Sequence, residues 1–406
     1  MMMAPQVWPA APPTIRRPAP PDGLIVVVVA GLLAIGLLLT FTASHHTAYR
    51  MVGDGTYFFK RQVAWVLLGT VAGLVAYSVP YGRWRRYSVP AMLGALAILT
   101  VLLSTGATRF GGERWLLGGG SVQPSELAKL AVILYIADWL AGKREAIRDA
   151  LMGLVPFSII IGLVCGLILL QPDYSTAVLV GAVAMAMFFT AGADTRQMVV
   201  ALTIASGALV ALVLSSPYRL QRLLTFLDPT ADPSGAGYQV RMAKESFSTG
   251  GVLGVGLGSG QQKLVLPTPH TDAVFSVLGE ELGLIGCLAV LGMFAVFAWR
   301  GFRVASGAPD RFGALLATGI TVWILAQALV NIAVVTGFVP FTGMPLPFLS
   351  YGGSSLVTCL VGVGVLLNIS KRVQGGTPTP HAHLGLGRRY SRTRLSRAHR
   401  ARSRRR

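Results

Sequence analysis

Asn331 to Ser355 reads NIAVVTGFVPFTGMPLPFLSYGGSS and lies between two apolar runs of helix length. Pro340, Pro345 and Pro347 forbid a regular helix there. Gly343, Gly352 and Gly353 permit turns that other residues resist. Irregular backbone next to a membrane span is tolerated only where it is buried in protein or lines a polar cavity. The stretch therefore reads as the wall of a site at the mouth of a helical bundle.

The sequence around it supports that setting. The 406-residue chain is only 13% charged, with a mean hydropathy of +0.61, whereas soluble domains carry about 25% charged residues. Ten apolar runs, at about 23–43, 62–80, 87–104, 124–140, 151–170, 175–191, 197–215, 274–299, 312–336 and 354–370, lie near the roughly 20 residues that cross a bilayer. The expected fold is an all-α polytopic membrane protein of about ten transmembrane helices, forming a membrane domain over 23–372. A large loop, about 216–273, joins spans 7 and 8. The fourth run is short and opens on the polar QPSELAK. No internal repeat is evident, which counts against transporter folds built from inverted halves. Residues 1–22 read as a disordered Pro-rich leader, since the first apolar run is too long for a signal-peptide core and no A-x-A site follows it.

The formal net charge of +19 is concentrated in a tail, 373–406, with ten arginines between Arg388 and Arg406. Beside a span, such a tail suits anionic lipid and topology better than nucleic acid, and no nucleic-acid partner is expected. Cys165, Cys287 and Cys359 sit inside apolar runs without metal-ligand spacing, and the six histidines form no metal signature. No metal ligand is assigned.

Positive residues orient the bundle. Arg16 and Arg17, Arg83 to Arg86, Lys143 to Arg148, Arg300 to Arg311, and Lys371 and Arg372 all fall on one side of ten spans. By the positive-inside rule that side is the cytoplasm, and both termini lie there. Loops 105–123, 171–174, 216–273 and 337–353 then face outward and hold every unusual motif. Chemistry on that face has no ATP, so it must use a substrate activated beforehand.

The large loop carries Arg241, Lys244 and Lys263, cations suited to a pyrophosphate or to lipid phosphates. Arg219 to Phe226 reads as an amphipathic interfacial helix. The glycines between 250 and 260 match no nucleotide loop. His270-Thr271-Asp272 enters span 8. Asp272 is either a helix cap or a functional carboxylate. Glu280 and Glu281 are placed inside span 8, about 12 Å or more along its axis from Asp272, as internal polar pairing. Arg114 and Trp115 precede Gln123-Pro124-Ser125-Glu126-Leu127-Ala128-Lys129. Trp115 can stack on a sugar or anchor at the interface, and Lys129 can pair with Glu126 or meet a phosphate. Gln171-Pro172-Asp173 alone would be an ordinary turn.

The opening stretch closely resembles the signature of the SEDS family (shape, elongation, division and sporulation) of bacterial cell-wall synthesis. Asn331, Gly337, Pro340, Thr342, Gly343, Pro345, Pro347, Phe348, Ser350, Gly352, Gly353, Ser354 and Ser355 fill every position of N-x5-G-x-x-P-x-T-G-x-P-x-P-F-x-S-x-G-G-S-S. Leu266-Pro267-x-x-His270-Thr271-Asp272, G-E-E-L-G around Glu280 and Glu281, R-W…Q-P-S-E-x-x-K and Gln171-Pro172-Asp173 resemble further family motifs in the same order. Thr268 and Ala273 depart from the common form, as does the glycine-rich stretch LLGGGSV, one residue short.

The resemblance implies a peptidoglycan glycosyltransferase in the bacterial cytoplasmic membrane. It would polymerise lipid II, a disaccharide-pentapeptide on undecaprenyl pyrophosphate, with Asp272 as general base. It implies substrate contacts from Arg114, Trp115, Lys129, Arg241, Lys244, Lys263, His270, Thr342, Ser350, Ser354 and Ser355. Gln171, Asp173, Glu280, Glu281, Pro340, Gly343, Pro345, Pro347, Gly352 and Gly353 would support them. A divalent cation, Mg or Mn, is admitted at the leaving pyrophosphate. The implied partners are a class B penicillin-binding protein and other divisome membrane proteins. G-L-G-S-G-Q-Q-K-L before the Asp272 motif favours the division type over the elongation type. A lipid II flippase and a scaffold for the penicillin-binding protein are the alternatives.

Overall fold

The computed structural model describes residues 20–105, 123–215, 217–228, 236–340 and 342–373. The helices run in the order α1 (Gly23–Val52), α2 (Tyr57–Ser78), α3 (Tyr81–Trp84), α4 (Ser88–Thr105), α5 (Pro124–Lys143), α6 (Val155–Leu170), α7 (Tyr174–Thr190), α8 (Thr195–Leu214), α9 (Pro217–Leu227), α10 (Ala236–Gly250), α11 (Val274–Ser306), α12 (Arg311–Val335) and α13 (Gly353–Val373). No strand occurs among the described residues. Several starts are fixed by an aspartate accepting backbone N–H groups: Asp22 for α1, Asp173 for α7, Asp194 for α8 and Asp310 for α12.

Among the described residues, eight spans are long and apolar enough to cross a membrane. α7 is shorter at 17 residues, and α5 carries Glu126, Lys129, Asp138 and Lys143. Both still run between the same two ends as the rest. At one end the Ser125 hydroxyl donates to Asp173, just ahead of α7 (3.1 Å). At the other, Arg85 donates to Asp138 of α5 (2.6 Å) and Arg311 donates to the Ala191 carbonyl just after α7 (3.0 Å). The ten expected runs are thus ten helices crossing one bundle, and the chain is a multi-pass membrane protein. The expected fourth span, 124–140, is a full helix of 20 residues.

The helices sort by burial. Within their most apolar windows α13 and α12 are 78% and 61% buried, against 6% for α8. α12 and α13 are therefore central, and α8 is peripheral. α2 packs on α13 backbone to backbone at Gly73 and Gly364, while Gly69 receives the Leu360 side chain, the close approach that small residues allow in membrane bundles.

The basic clusters share one end. Arg300 pairs with Asp22 (2.5 Å), and Lys371 lies 3.3 Å from the Tyr77 ring centroid. A second contact between α1 and α11 sets the scale: the Thr42 hydroxyl donates to Glu281 (3.0 Å). Twenty residues separate Asp22 from Thr42 and nineteen separate Glu281 from Arg300. At 1.5 Å per residue these are about 30 Å and 28 Å, the thickness of a bilayer core. Glu281 therefore sits at the end of the bundle opposite the basic clusters.

This corrects the expected span 274–299. α11 is broken at Gly283, whose φ of 63° and ψ of −163° end one helix and start another. The crossing segment starts at about residue 284, and Val274 to Leu282 is a separate short helix across the bundle mouth. Glu280 and Glu281 do not lie down the span from Asp272; they stand at the break. The freed backbone groups are paired by the glycine-rich segment: Leu284 and Ile285 N–H donate to Gly251 and Val252 carbonyls, and Val255 and Gly256 N–H donate to Glu280 and Glu281 carbonyls. The loop 216–273 is thus built of α9, α10 and a segment that completes α11.

Candidate active site

Asp272 stands two residues before α11, at the mouth of the bundle. It does not cap that helix: the N-cap is Ala273, and no side chain accepts there. Its backbone is held instead by α12. Asn331 Nδ2 donates both to the Asp272 carbonyl (2.9 Å) and to the Met344 carbonyl (2.7 Å). The amide thereby ties the aspartate to the proline-rich loop. Gly343 of that loop has φ +68°, and a Cβ placed there would stand 3.2 Å from Asp272 Oδ2. The carboxylate so faces an exposed stretch of bare backbone. It is partly buried without a charged partner among the described residues, and burial pushes its pKa up to about 6.

His270 is buried beside it. Its ring lies on Phe58 at 4.5 Å and near Tyr351 at 5.5 Å, and its carbonyl accepts from Tyr351 N–H (2.8 Å). Burial draws its pKa down to about 4, so the ring is neutral at pH 7.

The loop has two parts. Thr342 and Gly343 stay at the mouth, whereas Leu346 to Ser350 are buried. The buried part descends into the bundle: a Cβ at Gly36 would meet the Phe348 carbonyl at 2.4 Å. Gly36 is fourteen residues from Asp22, about 21 Å above the basic end and below the level of Glu281. Irregular backbone at that depth must be satisfied by protein, and the loop's serines do this. Ser350 Oγ accepts from Leu346 N–H (2.7 Å), Ser354 Oγ from Gln123 N–H (3.2 Å) and Ser355 Oγ from Gln327 Nε2 (3.3 Å). These three hydroxyls, expected on the substrate, hold the loop. Gly353 begins α13 against the Trp65 ring, Pro347 is buried, and Pro340 and Gly352 are half-buried.

Gln327, one helical turn before Asn331, joins the loop to α5. Its Nε2 also donates to the Pro345 carbonyl (3.0 Å), while its Oε1 accepts from Lys129 Nζ (2.8 Å) and Trp323 Nε1 (3.0 Å). Lys129 pairs with Glu126 at 2.8 Å, with 2% and 3% of the two side chains exposed. Of its two expected roles, the structure shows Lys129 in the ion pair. Asp173 gathers Gln123 Nε2 and the hydroxyls of Ser125 and Ser175, and Ser175 also donates to the Thr342 carbonyl (3.3 Å). Gln171 Nε2 donates to the Leu99 carbonyl (2.9 Å) and joins two helix ends.

Lys263 is not beside Asp272. Its Nζ binds Glu281 (2.7 Å) and the Gly258 carbonyl (2.8 Å), at the break of α11. Glu280 accepts from Gln261 and Gln262 N–H (2.6 and 3.0 Å). Both glutamates therefore serve internal pairing. Lys244 is exposed on α10 and lies against Gly337 at the outer end of α12, with Arg241 one turn away. Arg114 and Trp115 lie outside the described residues. No group of three His, Cys, Asp or Glu that could hold a metal occurs among the described residues.

The sequence reading missed the side-chain work of Asn331 and Gln327. The signal was available, since carboxamides four residues apart in an apolar run mark one polar stripe on a buried helix face.

Residues 23–375 match the family model for FtsW, RodA and SpoVE, described as "Cell cycle protein". The chain is 42% identical over 363 residues to the "Probable peptidoglycan glycosyltransferase FtsW" of Trichlorobacter lovleyi, covering 88% of this chain and 95% of that protein. It is 41% identical over 355 residues to "Stage V sporulation protein E" of Bacillus subtilis, covering 86% and 97%. Among solved structures it resembles a chain of "a peptidoglycan synthase complex" that coordinates polymerization and crosslinking, with TM-score 0.74, 28% identity, and coverage of 87% and 98%. It also resembles Thermus thermophilus RodA, a "Rod shape determining protein", with TM-score 0.64, 27% identity, and coverage of 86% and 96%.

Proposed function

This chain belongs to the FtsW, RodA and SpoVE family of cell cycle proteins, and on that premise we propose that it is a peptidoglycan glycosyltransferase that polymerises lipid II at the outer face of the cytoplasmic membrane. The observation that carries the reading is the carboxylate of Asp272. It is raised to about 6 by burial and set against the bare backbone of Gly343, at the end of the bundle opposite the basic clusters. A base with a pKa near the working pH is well matched to proton abstraction.

Asp272 takes the proton of the acceptor sugar 4-hydroxyl. The hydroxyl oxygen bonds to the anomeric carbon of the donor, the bond from that carbon to the phosphate oxygen breaks, and undecaprenyl pyrophosphate leaves with the electron pair. Lys244, with Arg241 on the same helix, is the cation placed to meet the pyrophosphate. Lys263 and Lys129 are committed to glutamates. A Mg or Mn ion would add charge at the leaving group. The positive-inside rule puts the basic end in the cytoplasm and the site outside.

The relatives named FtsW support a role in septal wall synthesis. The similar chain within a synthase complex supports work beside a class B penicillin-binding protein. A flippase needs polar residues at mid-depth along its path, and Glu280 and Glu281, the acids expected inside span 8, stand instead at the mouth, Glu281 bonded to Lys263 and Thr42. The test is labelled lipid II given to purified protein in detergent, with and without the penicillin-binding protein. Glycan chains are expected. Their absence in every condition would reject the enzyme and favour a flippase or scaffold.

A further inference from the structure

Asn331 is 2% exposed, inside an otherwise apolar helix, and one of its atoms is unspent. Its Nδ2 protons both go to carbonyls, those of Asp272 and Met344. The amide cannot be turned over without setting its oxygen against two carbonyl oxygens, so the positions of N and O are fixed by the network. Its Oδ1 is buried and meets no donor among the described residues. That oxygen belongs to the same amide that touches the Asp272 backbone at 2.9 Å. Two further polar atoms nearby in the chain are in the same condition: His270 Nδ1, two residues before Asp272, and Thr342 Oγ1, next to Gly343. Native proteins rarely leave buried polar atoms unmatched, and such atoms cluster where a ligand completes the set.

We propose that Asn331 Oδ1 is a substrate-contacting acceptor beside Asp272 and receives a hydrogen bond from the acceptor-sugar hydroxyl next to the attacking one. This rests on the glycosyltransferase reading. Asp272 and Asn331 offer acceptors, so the matching group must be a donor. A carbonyl or a phosphate oxygen does not fit, and a sugar hydroxyl does. Binding there would orient the attacking 4-hydroxyl toward the carboxylate before its proton moves, which is how a positioned acceptor lowers the barrier.

A binding cycle separates contact from mere stapling of the loop. In an Asp272→Asn background, which halts turnover, binding of lipid II is compared with binding of lipid II lacking the 3-hydroxyl of its terminal sugar, the neighbour of the attacking 4-hydroxyl. The parent should prefer the hydroxylated lipid by about tenfold, the worth of one buried hydrogen bond. Adding Asn331→Leu should erase the preference. Where Asn331→Leu does not fold, Asn331→Ser, too short to reach, serves in its place. An undiminished preference in the Leu or Ser variant would overturn the contact and leave Asn331 as a staple alone. No binding of lipid II by the parent would overturn the glycosyltransferase reading together with it.

Discussion

Asp272 is separated from an ordinary surface aspartate by partial burial with no charged partner among the described residues. Asp272→Asn keeps the size and removes the base, so polymerisation should fall by about 10²–10⁴-fold while lipid II still binds. Measured glycan synthesis near that of the unaltered chain would exclude the general base. The raised pKa carries a second expectation. The base works deprotonated, so kcat/KM should drop about tenfold per pH unit below about 6. His270, drawn down to about 4, stays neutral through that range. Stability should run the opposite way. The folded state holds the Asp272 proton more tightly than the unfolded chain, whose carboxyl titrates near 3.8. Its contribution therefore favours folding at low pH and is lost as pH rises from about 4 to about 6, by on the order of 2 kcal/mol for a partly screened group. Melting scans of the parent and Asp272→Asn across this range should converge at pH 4 and diverge at pH 7, with the Asn form the more stable.

Two features of single elements decide how the site is held. One is the break in α11. Gly283 occupies backbone space that is essentially closed to other residues, and a Cβ there would stand 2.4 Å from the Gly254 nitrogen. Gly283→Ala should cost about 3 kcal/mol or more, seen as a lower melting temperature in detergent. Unchanged melting would mean that the break is not needed. The other is the ion pair of α5. Removing one member of a buried pair strands the other's charge, at about 3–5 kcal/mol, whereas replacing both with apolar groups is often near neutral. Lys129→Met should therefore melt well below Glu126→Leu/Lys129→Met. Equal melting of the two would show that the pair contributes little. The double variant still lacks the Lys129 contact to Gln327, so its loop should be looser and its polymerisation slower than the parent's.

Across the whole molecule, the ends of the bundle have separate tasks. The basic end is pinned by pairs such as Arg300–Asp22 and Arg85–Asp138, and the opposite end gathers Asp272, the proline-rich loop and α10. Removing Arg388 to Arg406 should leave polymerisation in detergent within about twofold, since the tail follows the last span in sequence and holds none of the residues assigned to the site. A large loss would place the tail at the site. The ten spans, their common basic side and the loops that carry the site were legible in the sequence, because they depend on hydropathy, charge and length along the chain. The proline-rich loop was legible through its prolines and glycines, and the role of Asp272 through the resemblance of its motif to the family's. Which polar groups are free and which are spent was not, because this depends on neighbours far apart in the chain. Ser350, Ser354, Ser355, Lys129 and Lys263 have the chemistry to bind a substrate, yet the fold supplies each with an internal partner. Asn331 looked like one more motif position until Asp272 and Met344 claimed both its protons. Gly283 read as the last position of G-E-E-L-G and not as a helix break, since a break is set by the segment that packs against it. Composition and pattern determined the membrane bundle and the face that bears the chemistry. Tertiary packing decided which side chains remain to perform it, because a buried polar group is matched by whatever the fold brings within hydrogen-bond reach.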